Sequence, residues 1–420
     1  MRRDRKYILC IMMMVLLLSG FQNVVFAETD GVEQVESVFL ETPIVTVSNV
    51  TDTGKPKLTW NEIPGADCYA VYRAFSVDGN YEQKAIVSES SWTHSGAVAG
   101  IGYFYKVQAL STGEPETNSA FSDAQFGICN FKRPVCKVDL NKTGKPVLTW
   151  KAVQNAKGYE VYSAMAQDGS YKRIATVTTN TYTHEAAKYH KNYFYKIKAI
   201  DEEKPQASSA ESKVCVIYTI DLRKKLVALT FDDGPGPYTK QIVNCLRKHD
   251  GRATFFLLGQ RVNSYQTTVK AIYDGGNEIG NHSYTHPVLS NLNGKQVQSQ
   301  VKRTDNAIKK ITGETPTLIR PPYGAIDTIV AKNVGKPMVL WNVDTLDWQT
   351  RSKKATVNHV MKTVSDGDII LMHDIYKPTM QAAIELIPKL KKKGYELVTV
   401  SELAKYRGIK MKNGKRYYSF

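Results

Sequence analysis

Two regimes of hydrophobic patterning divide the chain. Between about residues 43 and 218, short β-branched and aromatic runs alternate with turn signals such as Asp78-Gly79 and Asp168-Gly169, and helical periodicity is absent. This predicts strands folded into all-β sandwich units. From about Leu222 the pattern changes. Leu226–Phe231, Ala253–Leu258, Glu278–Gly280, Thr317–Ile319, Met338–Val343, Asp368–Met372 and Glu396–Val400 read as strands, with amphipathic stretches between them. Ile242, Val243 and Leu246 share one helical face, and Val297, Val301, Ile308 and Ile311 a second. Ile384, Ile387 and Leu390 make a third, in a helix that Pro388 is expected to strain or kink. Strand–helix alternation predicts an α/β fold with a parallel sheet. Seven such units in under 200 residues predict a small barrel with its functional residues at the C-terminal strand ends.

The first regime is a repeat. Thr53-Gly-Lys-Pro-Lys-Leu-Thr-Trp60 recurs as Thr143-Gly-Lys-Pro-Val-Leu-Thr-Trp150, and Tyr103-Phe-Tyr-Lys106 as Tyr193-Phe-Tyr-Lys196. Tyr69 and Tyr72 match Tyr159 and Tyr162, and every pair is 90 residues apart. Such self-similarity marks two copies of one module. Thr93-His94 matches Thr183-His184, so these histidines read as framework and not as ligands. The early Trp, the central Tyr-x-Val-Tyr and the late Tyr-Phe-Tyr-Lys resemble fibronectin type III modules, over residues 43–130 and 134–218.

Charge and the N-terminus add location. Residues 221–420 hold 32 Lys+Arg against 17 Asp+Glu, whereas residues 1–220 are nearly balanced at 24 against 23. The basic excess suits an anionic neighbour such as a cell-wall polymer. No nucleic-acid motif accompanies it, so no nucleic-acid partner is expected. Arg2, Arg3, Arg5 and Lys6 precede the apolar run Tyr7–Leu18, and Val25-Phe26-Ala27 offers a cleavage site. Residues 1–27 therefore read as a signal peptide cleaved after Ala27, with an uncleaved membrane anchor as the alternative. Either reading places the bulk of the chain outside the cytoplasm, secreted or associated with the cell surface. Residues 28–42 read as an acidic linker. Residues 406–420 read as a basic aromatic tail, either in contact with a wall polymer or headgroups or frayed. Five cysteines outside the signal segment are no disulfide framework, although one bridge near the domain junctions is possible.

The chemistry gathers at the expected strand ends of the second regime. Thr230-Phe-Asp-Asp-Gly234-Pro235 puts two carboxylates where a strand stops. His282-Ser-Tyr-Thr-His286 puts two imidazoles four residues apart, a spacing that lets both face one metal. No Glu lies between them, so a His-Glu-x-x-His protease site is excluded and any base must come from elsewhere. One carboxylate of the Asp pair can complete a three-ligand site and the other can act as that base. Arg320-Pro-Pro-Tyr-Gly324, Asp344-Thr-Leu-Asp347-Trp348 and Leu371-Met-His373-Asp374 end three further strands.

Together these five clusters resemble the polysaccharide deacetylase family, with its NodB-homology fold, over residues 222–405. The resemblance implies a multidomain protein whose C-terminal part is a distorted (β/α) barrel, preceded by the two all-β sandwiches. It implies metal-dependent removal of acetyl groups from sugar amides or esters. The family's roles fall on Asp233, His282 and His286 as ligands of a divalent ion, Zn2+ or alternatively Co2+. They fall on Asp232 as general base, Arg320 as its charge partner, His373 as general acid and Asp347 as the residue tuning that acid. Tyr323 would lend a backbone N–H to the oxyanion, and Leu371 and Trp348 would line the acetyl pocket. The expected substrate is an acetylated polysaccharide, foremost N-acetylglucosamine in peptidoglycan. Chitin oligomers, poly-N-acetylglucosamine and acetylated xylan are alternatives, and a non-catalytic surface adhesion protein is the rival of another class.

Overall fold

The computed structural model of the chain describes residues 39–420. The expected signal peptide and all but the last four residues of the acidic linker lie outside the described residues. Each repeat copy forms a three-stranded and a four-stranded antiparallel sheet around one core. In the first copy Val45–Asn49, Pro56–Trp60 and Ser91–Thr93 make the smaller sheet. Glu82–Val87, Cys68–Ala74, Gly102–Leu110 and Gln125–Ile128 make the larger. The strand Gly102–Leu110 alternates between buried and half-buried positions along its whole length, as period-two patterning requires when only one face meets a core. Leu58, Trp60, Tyr69, Val71, Tyr105 and Val107 fill that core. Leu148, Trp150, Tyr159, Val161, Tyr195 and Ile197 fill the second. His94 Nδ1 meets the Tyr105 hydroxyl at 2.9 Å, and His184 meets Tyr195 at the same distance. Burial pushes His94 down to about 4, so it stays neutral inside its module.

The remaining chain is α/β. Its strands are β1 (Lys225–Gly234), β2 (Thr254–Leu257), β3 (Glu278–Asn281), β4 (Met338–Val339), β5 (Val343–Asp344), β6 (Ile369–His373), β7 (Tyr395–Leu397) and β8 (Arg416–Tyr417). The parallel order is β3-β2-β1-β6-β5, and β7 pairs with the first three residues of β1. Leu226 to Phe231 of β1 are buried on both faces, which is why they read as a continuous apolar run. Helices Thr239–Lys248, Gly294–Thr312 and Lys377–Lys392 contribute Ile242, Leu246, Ile308, Leu386 and Ile387 to the main core.

Several elements differ from expectation. Thr317–Ile319 shrinks to bridges that Ile319 makes to Asn281 and Met338. The strand expected over Met338–Val343 splits into β4 and β5, because the Arg320 guanidinium takes the carbonyls of Val339 (3.0 Å) and Leu340 (2.8 Å). The strand expected over Glu396–Val400 stops at Leu397. Thr399 and Glu402 form a capping box that starts the helix Val400–Tyr406 instead. Lys377–Lys392 runs on through Pro388, and the carbonyl of Ile384 left without its helical N–H accepts from the Cys245 thiol at 3.7 Å. Ile384 is exposed, and Leu386 takes the core position beside Ile387 and Leu390. The tail is not frayed. β8 pairs in parallel with β4, Ser419 bridges Asp368 at the head of β6, and the Phe420 N–H donates to Gly367.

The second copy packs against this unit at the N-terminal ends of its strands. Leu140 and Tyr218 join a core with Ile220, Leu226 and Val398. The Arg252 guanidinium lies 3.6 Å from the Tyr218 ring centre, and Lys405 pairs with Asp139 at 2.8 Å. Buried Glu396 is 2.6 Å from Lys391, 3.0 Å from Lys224 and 3.5 Å from His190. Lys224 precedes β1, Arg252 precedes β2 and Glu396 belongs to β7. The C-terminal strand ends on the opposite face are left to the polar clusters.

Candidate active site

β1 ends in Asp232 and Asp233, and register pairing sets Asp232 beside His373 at the end of β6. His282 follows β3 directly, Arg320 follows the Ile319 bridge, and Asp347 lies three residues beyond β5. All the acid, base and imidazole positions expected from sequence thus come to one end of one sheet. Parallel strands bring their C-terminal ends together, so residues distant along the chain become neighbours.

Asp233, His282 and His286 form a trio whose potential ligand atoms all lie within 4.8 Å of one another. Asp233 Oδ1 is 3.4 Å from His282 Nε2 and 3.2 Å from His286 Nε2. The His282 ring donates through Nδ1 to the Arg320 carbonyl oxygen at 2.7 Å, which leaves the Nε2 lone pair facing the trio. His286 Nδ1 meets the Tyr323 hydroxyl at 3.1 Å, and the two rings pack edge to face with centres 4.6 Å apart. Burial would raise the Asp233 carboxyl, but the nearby His282, His286 and His373 hold it at about 2. Burial, with the neighbouring His282, holds His286 below its ordinary value. The trio therefore offers one carboxylate and two imidazole nitrogens.

This donor set fits a divalent cation. Asp233 Oδ1 is buried without a hydrogen-bond donor, a state that a carboxylate tolerates poorly unless a cation meets it. The second ring nitrogen of each imidazole is held by an oxygen, the outer support that metal-binding histidines require.

Asp232 is almost fully buried, as is Arg320. Arg320 Nη1 donates to Asp232 Oδ1 at 2.8 Å and to the Thr230 hydroxyl at 2.7 Å. Its cation also lies 4.3 Å from the centre of the Phe256 ring. Burial lowers the guanidinium's pKa, and Asp232 opposes the shift. A charge so enclosed is tolerable because its donors are taken by fixed oxygens.

His373 faces the same centre from the other side. Asp347 Oδ1 accepts from His373 Nδ1 at 2.9 Å, and Thr379 donates to Asp347 Oδ2 at 2.7 Å. Burial alone would lower the imidazole, but the hydrogen bond and charge of Asp347, with Asp232 and Asp233, raise it to about 9. The remaining nitrogen, Nε2, can give a proton to a leaving group.

Leu371 is buried one turn of the pleat before His373, paired with Thr230 and Asp344. Trp348 is 46% exposed on the short helix Asp347–Thr350, and the Tyr323 side chain is 68% exposed. Asp233, Ser283, His286, Tyr323 and Leu346 all have positive φ, between 51° and 69°. Non-glycine residues held in that region cluster where a site needs side chains aimed against backbone preference.

Several contributors were not legible. Thr230 adjoins the Asp pair and could have been found there. Thr379, which steadies Asp347, carries no local signal. Nor does Gln300, whose Oε1 accepts from the N–H groups of Tyr284 (2.8 Å) and Thr285 (3.0 Å) and so fixes the loop between the two histidines. Asp374 is fully buried beneath Gly234, where a Cβ would stand 2.5 Å from its Oδ1. Burial raises its carboxyl to about 7.

The family model for polysaccharide deacetylase matches residues 219–339. The chain is 48% identical over 186 residues to peptidoglycan-N-acetylmuramic acid deacetylase PdaC of Bacillus subtilis, covering 44% of this chain and 40% of that protein. It is 40% identical over 195 residues to peptidoglycan-N-acetylglucosamine deacetylase PgdA of Listeria monocytogenes, covering 46% of this chain and 41% of that protein. The chain thus spans about 40% of the length of these curated relatives. A solved structure of PdaC is 46% identical, with a TM-score of 0.44, over 45% of this chain and 94% of that one. A peptidoglycan-N-acetylglucosamine deacetylase of Bacillus cereus is 39% identical over 201 residues, 46% of this chain and 94% of that protein. A relative matched over nearly its whole length, together with a family model that falls on residues 219–339, makes this chain a member of the polysaccharide deacetylase family.

Proposed function

We propose that the protein is an extracytoplasmic, metal-dependent peptidoglycan deacetylase that hydrolyses the acetamide of N-acetylglucosamine units. One observation carries the reading: an Asp-His-His trio fit for a cation lies between a carboxylate paired to a buried arginine and a histidine braced by a second carboxylate. Asp233, His282 and His286 would hold the ion, for which two imidazoles and one carboxylate suit Zn2+, with Co2+ also accommodated. When bound, such an ion acidifies water and polarises a carbonyl. Asp232 takes the proton of the attacking water, and the Arg320 Nη1 hydrogen bond to Oδ1 holds that carboxylate in position. The Tyr323 backbone N–H would donate to the oxyanion that develops on the carbonyl, an interaction worth about 3–4 kcal/mol in such sites. His373 Nε2 delivers the proton that the leaving amine needs, and Asp347 holds the ring in the tautomer with hydrogen on Nδ1. Leu371 and Trp348 would bound the acetyl methyl group.

The second reading is N-acetylmuramic acid as the sugar, favoured by the 48% identity to the relative named for it. The strand pairing supports a distorted (β/α) barrel, and the two-sheet copies support fibronectin type III-like sandwiches that space the enzyme from its point of attachment. The basic C-terminal half suits an anionic wall.

The test is acetate release by the purified, zinc- or cobalt-loaded chain from peptidoglycan, chitin oligomers and acetylated xylan, with Asp232→Asn as control. Mass spectrometry of the muramidase-released fragments locates the freed amine on one sugar or the other. No release from any substrate would overturn the enzyme reading. Release from xylan alone would overturn the wall reading.

A further inference from the structure

The second repeat copy carries two thiols that its twin lacks. Cys136 immediately precedes its first strand, Lys137–Leu140, and Cys215 opens its last, Cys215–Tyr218. Each strand is the edge of a different sheet, and the two pack together. Shifted by 90 residues, the two positions are Thr46 and Gln125 in the first copy. The cysteines are therefore no part of the shared framework, and they occur as a pair. Cys215 Sγ lies 3.0 Å from the Cys136 carbonyl oxygen, across the contact between the two edge strands. Both residues are partly exposed, so an oxidant can reach them.

We propose that Cys136 and Cys215 form a disulfide that ties the entrance of the second module to its exit. The oxidant is a disulfide-bearing molecule, either a low-molecular-weight disulfide or the active-site disulfide of a thiol oxidase. One cysteine thiolate attacks a sulfur of that disulfide, giving a mixed disulfide and releasing one thiol of the oxidant. The other cysteine thiolate then attacks the bonded cysteine sulfur, closes the Cys136–Cys215 bond and releases the second oxidant thiol. Two electrons and two protons pass from the cysteines to the oxidant.

The bond changes how the chain carries load. The two cysteines are 79 residues apart. Without the bond, a pull on the chain runs through the strands of the module, whose unravelled length would be roughly 270 Å. With it, the pull passes from residue 136 to residue 215 through one covalent link, and the module cannot be drawn out. The neighbouring contacts suit such a clamp, since Arg133 pairs with Asp52 of the first copy (2.9 Å) and donates to the Glu211 carbonyl (2.6 Å). The inference is independent of the hydrolytic reading, and the bond should leave acetate release unchanged.

The test uses the full chain equilibrated in a buffer of reduced and oxidised glutathione, then unfolded and alkylated. The expected product is about 2 Da lighter than the reduced protein and carries two fewer alkyl groups. Peptide mapping should join Cys136 to Cys215. Protease cuts between residues 137 and 214 should leave fragments that separate only after dithiothreitol. Cys136→Ser and Cys215→Ser should each abolish the mass change. Should either variant fail to fold, the native chain with and without reductant gives the same answer, with Tm lower by roughly 5–10 °C on reduction. Complete alkylation, glutathione adducts in place of an internal bond, or a bridge between any other pair would overturn the proposal.

Discussion

Asp347 grips His373 at two points: Oδ1 accepts from ring Nδ1 at 2.9 Å, and Oδ2 accepts from the residue's own backbone N–H at 2.8 Å. The same carboxylate therefore sets the position of the strand end and the tautomer of the ring. Asp347→Asn should lower kcat by about 10²- to 10⁴-fold with little change in KM, because an amide no longer supplies two acceptors or the negative charge. Steady-state kinetics on a soluble amino-sugar oligomer would check this, and an unchanged kcat would remove Asp347 from the mechanism.

The raised His373 also fixes a pH dependence. A histidine lifted to about 9 is protonated throughout the neutral range. Its ion pair with Asp347 stabilises the fold fully below the unfolded value near 6.5, and that stability is lost as pH rises through about 9. The acid form needed for amine departure disappears over the same rise. A bound dication cancels much of the pull from Asp233, so the alkaline limb of kcat in the loaded enzyme should fall between about 6.5 and 9. In Asp347→Asn, the limb should move to lower pH. A pH–rate profile with no alkaline limb would exclude His373 as the acid.

Arg320 should be as much a structural residue as a chemical one. Its donors serve Asp232, Thr230, Val339 and Leu340 at once. Arg320→Met should cost about 3–5 kcal/mol of stability, since it strands a buried carboxylate and three further acceptors. Adding Asp232→Asn to that variant should recover part of the loss without recovering activity. Urea unfolding of the two single variants and the double variant measures the coupling directly.

The Tyr323 hydroxyl provides a more selective probe. Tyr323→Phe deletes one hydrogen bond to His286 Nδ1 and retains the ring. Metal affinity should fall about 10- to 100-fold, with the melting temperature of the metal-free protein unchanged. His282→Ala and His286→Ala should each remove most of the bound metal. Competition titration with a chelator separates these cases, and full metal content in both alanine variants would refute the ligand set.

The places where the sequence was readable share a physical cause. β1 and β6 are buried on both faces, so their apolar runs stand out, and Asp232, Asp233 and His373 follow those runs by one or two positions. Legibility failed where side chains overrule local patterning. Arg320, 18 residues before Met338, breaks the apolar run after it by taking the Val339 and Leu340 carbonyls, and nothing in Met338–Val343 itself announces that. Thr399-Val-Ser-Glu402 is a capping-box sequence, and the helix it starts cuts the apolar run Glu396–Val400 short at Leu397. The family resemblance assigns only the Tyr323 backbone N–H, and the hydroxyl's contact with His286 is made by the fold between residues 37 apart. The fold of the tail depends on β4, some 78 residues earlier in the chain, which no local window reports.

One further consequence lies in the turn shared by both repeat copies. Gly54 and Gly144 occupy the same position, with φ +73° and +89°, and a Cβ there would stand 2.1 Å from the Asn130 carbonyl oxygen and 1.7 Å from that of Ile220. Asn130 leads into another module and Ile220 into the α/β unit, yet the socket that receives each is the same. The chain is thus assembled with a standard coupling. Duplication of a whole 90-residue unit would add a module without redesigning any contact of the α/β unit, so the number of modules can change separately from the polar site.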